Sequence, residues 1–141
     1  MGMVLVVEDD RGCCLTLAAL IRRAGHRAKN ARCAVEALAQ LKIERPDHPL
    51  PDLIIIDFPM PGMDGLTFLK HVRDTARTHG VPIILFSACD EAEIVEKARA
   101  LGANEIWVKA SFDFCELPRR LNRYIAASDQ IQESERIPSS L

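Results

Sequence analysis

Short runs of apolar residues alternate along the chain with segments whose apolar positions recur every three or four residues. Met3–Val7 is a Val-rich run with no polar position, the composition of a strand covered on both faces. Asp10 has a side chain suited to capping a helix. Beyond it Cys14, Leu17, Ala18 and Ile21 fall at i, i+3, i+4 and i+7, one apolar stripe that Gly25 ends. Arg27–Asn30 predicts a weak second strand at or near a sheet edge. Arg32–Ile43 predicts a second helix, with Val35, Leu38 and Leu41 inward. Residues 44–52 hold three prolines in nine positions, so they read as a surface loop. Leu53–Ile56 is a third apolar strand, followed by the loop 59–65 and a third helix reaching about His79. Ile83–Phe86, after Pro82, predicts the fourth strand. Asp90–Leu101 predicts a helix with Ile94, Ala98 and Leu101 on one face, ended by Gly102, and Ile106–Val108 the fifth strand. The last helix includes Leu121 and Ile125. Its start is open between Pro118 in the first turn and an earlier cap at Ser111.

Five strands alternating with five helices specify an α/β fold with a parallel sheet. Right-handed crossovers leave few topologies. At this length the expectation is a flavodoxin-like (βα)5 doubly wound sandwich with strand order 2-1-3-4-5. The 141 residues fit one domain, residues 1–127, with the polar stretch 128–141 a tail or the start of a linker. At 48% apolar and 27% charged the chain can bury a core. The net charge of -2 gives no reason to expect binding to nucleic acid or an anionic membrane, although it leaves room for a local basic patch. No apolar run reaches the roughly 20 residues of a membrane span, and the first residues turn acidic too early for a signal peptide. Cys13, Cys14, Cys33, Cys89 and Cys115 form no metal spacing; their odd number suggests reduced thiols in a cytoplasmic setting. His26, His48, His71 and His79 show no ligand spacing and are expected at the surface.

The chemistry lies at the carboxyl end of each apolar strand. The first runs into Glu8 and Asp9, the third into Asp57, the fourth into Ser87 and the fifth into Lys109. In an open parallel sheet the carboxyl ends of all strands share one edge, where ligands bind. Taken singly, these residues are ordinary helix caps, turn residues and solvated strand ends. Taken together, three carboxylates, a hydroxyl and an ammonium converge. Crowded carboxylates repel, and a hard divalent cation relieves them. Mg²⁺ takes oxygen ligands and leaves room for phosphate oxygens. Lys109, Ser87 and the Ala88 backbone N–H could then neutralise a phosphoryl group, with Asp57 as nucleophile.

These same residues carry a resemblance. VLVVEDD, DLIIIDFPMPGMDG, PIILFSA and GANEIWVK resemble the conserved stretches of receiver domains of two-component response regulators, of the chemotaxis-regulator type, over about residues 3–127. The resemblance implies that Asp57 accepts a phosphoryl group from a phosphohistidine on a sensor histidine kinase or histidine phosphotransfer protein. It implies Mg²⁺ held by Asp9, Asp57 and the Pro59 backbone carbonyl, with Glu8 acting mainly through water. Lys109 would contact the phosphoryl oxygens and Ser87 would move toward them. The output would be a downstream protein or effector domain, read on the face of the fourth helix, fifth strand and fifth helix, through which a homodimer could also form. Such a protein is a switch and not a turnover enzyme. The alternatives are a pseudo-receiver acting as a constitutive interaction module and a haloacid-dehalogenase-type phosphatase. The second lacks its Asp-x-Asp, since Arg11 follows Asp9 by two and Pro59 follows Asp57 by two. No GxGxxG follows the first strand and no GxxxxGK[ST] occurs, which argues against a nucleotide-binding domain of those types.

Four positions depart from the family pattern. Ile106 stands where an aromatic residue or histidine is usual, with Trp107 after it. Ala110 replaces the proline after the lysine, and the 44–52 loop is long. The fourth departure, Pro59, offers no side-chain donor to hold an attacking water. Phosphorylated wild type should therefore lose its phosphoryl group more slowly than phosphorylated Pro59→Asn. Equal lifetimes by phosphate release would contradict this.

Overall fold

The computed structural model describes residues 2–58, 64–88 and 91–125. Its strands are β1 (Met3–Val7), β2 (Arg27–Ala31), β3 (Leu53–Phe58), β4 (Ile83–Ser87) and β5 (Glu105–Val108). Its helices are α1 (Arg11–Arg23), α2 (Ala34–Leu41), α3 (Gly65–Asp74), α4 (Ala92–Ala100) and α5 (Leu117–Asn122). The strands pair in parallel in the order β2-β1-β3-β4-β5, the flavodoxin-like arrangement expected from the alternation.

The continuous apolar runs of β1, β3 and β4 arise from burial on both faces. Leu5, Val7, Ile54, Ile56, Ile83 and Leu85 face a core shared with α2, α3 and α4. Val4, Val6, Leu53, Ile55, Ile84 and Phe86 face a second core shared with α1 and α5. Each such side chain contributes about 1.5–3 kcal/mol by leaving water. β2 has none of this pattern: its RAKNA sequence sits at the sheet edge with only Ala31 fully buried.

Local signals explain most helix ends. The Asp10 carboxylate accepts from Cys13 N–H at 3.2 Å and caps α1; the Asp64 carboxylate accepts from Thr67 N–H at 2.7 Å and caps α3. Gly25 adopts φ +92 and Gly102 φ +104, the left-handed conformation that favours glycine at a helix exit. Pro118 lies in the first turn of α5, preceded by a 3-10 turn over Phe114–Glu116. Ser111 does not cap that helix; its N–H closes a turn on the Val108 carbonyl at 3.1 Å.

Three expectations are corrected. Val35 is not inward. α2 begins at Ala34 and buries Ala34, Ala37 and Leu41, which leaves Val35 60% exposed. His26 is buried, not at the surface, where its Nδ1 accepts from Gly2 N–H at 3.1 Å. α3 ends at Asp74, short of His79, because side chains take over its terminal carbonyls. Thr75 Oγ1 donates to the His71 carbonyl at 2.9 Å and Thr78 Oγ1 to that of Val72 at 2.7 Å. Of the four described cysteines, Cys13, Cys14 and Cys33 are half-buried free thiols and Cys115 is exposed. Cys89 and the tail 128–141 lie outside the described residues, as does the proposed boundary at residue 127.

Arg73 ties the end of α3 to the strands behind it. Its guanidinium donates to the carbonyls of Val81 at 2.6 Å, His79 at 2.9 Å and Gly102 at 2.8 Å, and to Asn104 Oδ1 at 3.0 Å. Arg73→Met keeps the aliphatic stem but strands these acceptors. It should cost about 2–4 kcal/mol in urea unfolding, whereas a loss under about 0.5 kcal/mol would show the network to be incidental.

Candidate functional site

The strand register brings the chemistry together. Val7 pairs with Ile56, so Glu8 leaves β1 beside Asp57 in β3. Asp57 is opposite Phe86, Phe58 is opposite Ser87, and Ser87 is opposite Val108, the residue before Lys109. One sheet edge thus presents Glu8, Asp9, Asp57, Ser87 and Lys109. A carboxylate oxygen from each of Glu8, Asp9 and Asp57 lies within 4.8 Å of the other two. Glu8 and Asp57 are buried and Asp9 is exposed, so the cluster opens to solvent on the Asp9 side.

Neutralisation is incomplete. Lys109 Nζ forms an ion pair with Asp57 Oδ1 and stands 3.8 Å from Glu8 Oε2. Glu8 Oε1 accepts from Asp10 N–H at 3.1 Å, but Oε2 is buried with no hydrogen-bond partner among the described residues. Burial pushes the Glu8 carboxyl above the ordinary carboxylate range. The Asp10 N–H pulls it partly back and the charge of Asp57 adds to the rise. For Lys109, burial would depress the ammonium. The hydrogen bond to Asp57 and the charges of Asp57 and Glu8 outweigh it and hold the pKa above the usual lysine value. The Cys13 thiol beside Glu8 is pushed up to about 12, chiefly by burial and then by Glu8, so it is no thiolate nucleophile. A buried, under-coordinated carboxylate oxygen in an acidic trio fits a hard cation with oxygen ligands.

Two placements bear on the roles expected at this edge. The Ala88 N–H already donates to the Phe58 carbonyl at 2.8 Å, extending the β3–β4 ladder by one rung. Donation to a phosphoryl group would require that bond to be released. Ser87 is buried at the end of β4. Pro59 lies outside the described residues, so its carbonyl has no placement here.

Other contacts shape the site without being foreseen. Lys109 Nζ lies 5.5 Å from the centre of the Phe86 ring, within cation–π range. Phe86 meets Trp107, Phe112 and Phe114 edge-on at 6.4, 5.7 and 6.0 Å between centroids, and Trp107 stacks on Phe112 at 4.5 Å. The only sequence cue was the aromatic spacing in SFDF, too general to interpret alone. Gly65 is needed for a close approach: a Cβ there would meet Phe58 at 3.1 Å and Leu85 at 3.2 Å, which fixes α3 against β3 just past the site.

Comparison with known proteins agrees with this geometry. The profile of the response regulator receiver domain matches residues 4–122. The chain belongs to the response regulator receiver domain family, the modules of two-component signalling. It is 35% identical over 131 residues to the transcriptional activator protein IrlR of Burkholderia pseudomallei, covering 93% of this chain and 53% of that protein; the chain thus spans about half of that relative. Among solved structures it resembles chemotaxis protein CheY4 of Vibrio cholerae at TM-score 0.77 and 30% identity, covering 89% of this chain and 99% of that one. It also resembles the receiver domain of sensor histidine kinase PA1611 of Pseudomonas aeruginosa PAO1. That match has TM-score 0.75 and 26% identity and covers 89% of this chain and 98% of that one; the PA1611 domain has a magnesium ion coordinated in its active site cleft.

The electrostatics give a sign for Glu8. Its carboxyl binds a proton more tightly in the folded chain than in the unfolded one, so its ionised form destabilises the cation-free fold at neutral pH. That cost fades as pH falls through the raised pKa toward the ordinary value of 4.5. In EDTA, Glu8→Gln should therefore be more stable to urea than wild type at pH 7, with the gain shrinking by pH 5. A Glu8→Gln variant less stable than wild type at pH 7 would refute this reading of the cluster.

Proposed function

We propose that the chain is a phosphorylation-dependent switch in which Asp57 accepts a phosphoryl group from a phosphohistidine of a sensor histidine kinase or histidine phosphotransfer protein. The observation that carries the reading is the Glu8, Asp9 and Asp57 carboxylates within 4.8 Å of one another, with the Lys109 ammonium against Asp57. Asp9 and Asp57 would hold Mg²⁺, with the Pro59 carbonyl completing the set and Glu8 acting through water. The ion would supply charge neutralisation between carboxylates and phosphoryl oxygens.

The chain's own groups do the rest. An ionised Asp57 carboxylate oxygen attacks the phosphorus and the histidine nitrogen leaves, so one P–N bond breaks as one O–P bond forms. Lys109 moves its positive charge from the free carboxylate to the new phosphoryl oxygens, and the Ser87 hydroxyl donates to them. The buried setting of Glu8, Asp57 and Ser87 limits bulk water around the acyl phosphate. The signal then passes to a downstream protein or effector domain through altered partner binding in the cytoplasm. The complete acidic site, with its lysine engaged, favours this over a constitutive interaction module.

Acetyl phosphate with Mg²⁺ should add about 80 Da, one phosphoryl group, to the intact protein by mass spectrometry. Asp57→Asn should abolish the gain, and Lys109→Met should slow it about 10²–10³-fold. An equal gain in Asp57→Asn would place the acceptor elsewhere; no gain in wild type would leave the pseudo-receiver reading.

A further inference from the structure

The chain's charge is strongly segregated. Residues 11–32 hold Arg11, Arg22, Arg23, Arg27, Lys29 and Arg32 and no acidic residue, while all 20 acidic residues lie elsewhere. The fold gathers three of these cations around one groove of about 470 Å³ between α1 and β2, lined by Arg11, Arg22 and Arg32; Lys29 borders it in β2 but turns its ammonium to His48 on the α2 side of the sheet. Leu15, Ala18 and Ala28 give it an apolar floor. Glu8 and Asp9 also line it, whereas Asp57 and Lys109 do not, so the groove adjoins the phosphorylation site and shares two of its carboxylates.

The fold makes little use of these cations. Arg11 and Arg22 have no ion-pair partner among the described residues. Arg32 pairs only loosely with Glu36 among the described residues, at 3.7 Å and 82% exposed. Arg22 sits in the last turn of α1, where the helix dipole welcomes a cation. Arg11 sits at the first position of α1, where the dipole opposes one. Leu15 is 59% exposed in the same groove, an apolar side chain with no partner in the core.

We propose that the α1–β2 groove is a second ligand site, for a nucleotide-sized polyanion. Its volume is in the range of small-molecule sites. Guanidiniums bind phosphate oxygens in paired, charge-assisted hydrogen bonds, and three of them outnumber the two carboxylates that also line the groove. The floor of Leu15, Ala18 and Ala28 suits the flat face of a base, which an inorganic anion would not use. A ligand here touches α1 and Asp9 together, so its occupancy is placed to influence phosphorylation at the adjoining site.

Calorimetric titration of the full chain with ATP tests this, in EDTA so that metal bridging to the acidic trio is removed, and at about 0.15 M salt. The expected result is saturable one-to-one binding with Kd below about 100 μM, about tenfold tighter than tripolyphosphate, with amide NMR shifts confined to α1 and β2. The Arg22→Glu/Arg32→Glu variant should bind at least about tenfold more weakly. Arg99→Glu on the exposed face of α4 and Asp57→Asn should bind as wild type does. No saturation by about 1 mM would overturn the proposal. So would equal weakening by Arg99→Glu, which would reveal unspecific attraction, and loss in Asp57→Asn, which would move the ligand to the phosphorylation site. A poly-glutamate peptide displacing ATP at equal affinity would also overturn it, by making the groove a docking face for acidic protein. The NMR map of the wild type keeps the test decisive even if the charge-reversed variant folds poorly.

Discussion

The structure is organised around mutual repulsion of carboxylates held at the end of a parallel sheet. Glu8, Asp9 and Asp57 would separate if the backbone allowed it, but β1 and β3 are locked side by side by apolar faces on both surfaces. Lys109, delivered from β5 two strands away, presses its ammonium into the trio and engages chiefly Asp57. Two full hydrophobic layers thus hold an electrostatically unfavourable arrangement in place. That excess negative charge is what the proposed Mg²⁺ would neutralise.

The environment beyond β5 shapes how a change at this edge could travel. Ile106 packs with the α2–α4 layer, whereas Trp107 turns to the α1–α5 layer. There Trp107 stacks on Phe112, and its Nε1 donates to Glu105 Oε1 at 3.0 Å. Glu105 also accepts from Arg120 at 3.1 Å and from the Tyr124 hydroxyl, both in the α5 region. These hydrogen bonds and the charge of Arg123 outweigh the upward pull of burial and hold the Glu105 carboxyl below its ordinary range. Lys109 reaches the same aromatic group through Phe86. The site and α5 are therefore joined by contiguous packing on the side away from Ile106.

Much of this was legible in the sequence because parallel strands write themselves plainly. Unbroken runs such as LIII and IILF admit few other readings, and the residue after each run names the chemistry at the shared edge. Element order, strand order and the convergence of Glu8, Asp9, Asp57, Ser87 and Lys109 came from that. What the sequence hid depends on side chains acting over distance. The helical pattern past Asp74 could not show that Thr75 and Thr78 cap the preceding turn or that Arg73 binds carbonyls up to 29 residues away. Val35 stands three residues before Leu38, yet the buried stripe of α2 runs through Ala34, Ala37 and Leu41, which puts Val35 off that face. His26 is buried by a partner at Gly2 that no local pattern announces. Nor does any local pattern announce that the Ala88 N–H closes the ladder on the Phe58 carbonyl.

The central physical claim is that the acidic trio is a divalent-cation site built under electrostatic strain. The most direct measurement is urea unfolding of the unphosphorylated chain across a Mg²⁺ titration at constant ionic strength. Stability should rise once Mg²⁺ exceeds its Kd, approaching about 1.4 kcal/mol per tenfold increase in Mg²⁺, and the rise should vanish when Asp9 and Asp57 are both replaced by asparagine. A stability indifferent to Mg²⁺ in wild type, or a rise of the same size in the doubly substituted chain, would contradict the account.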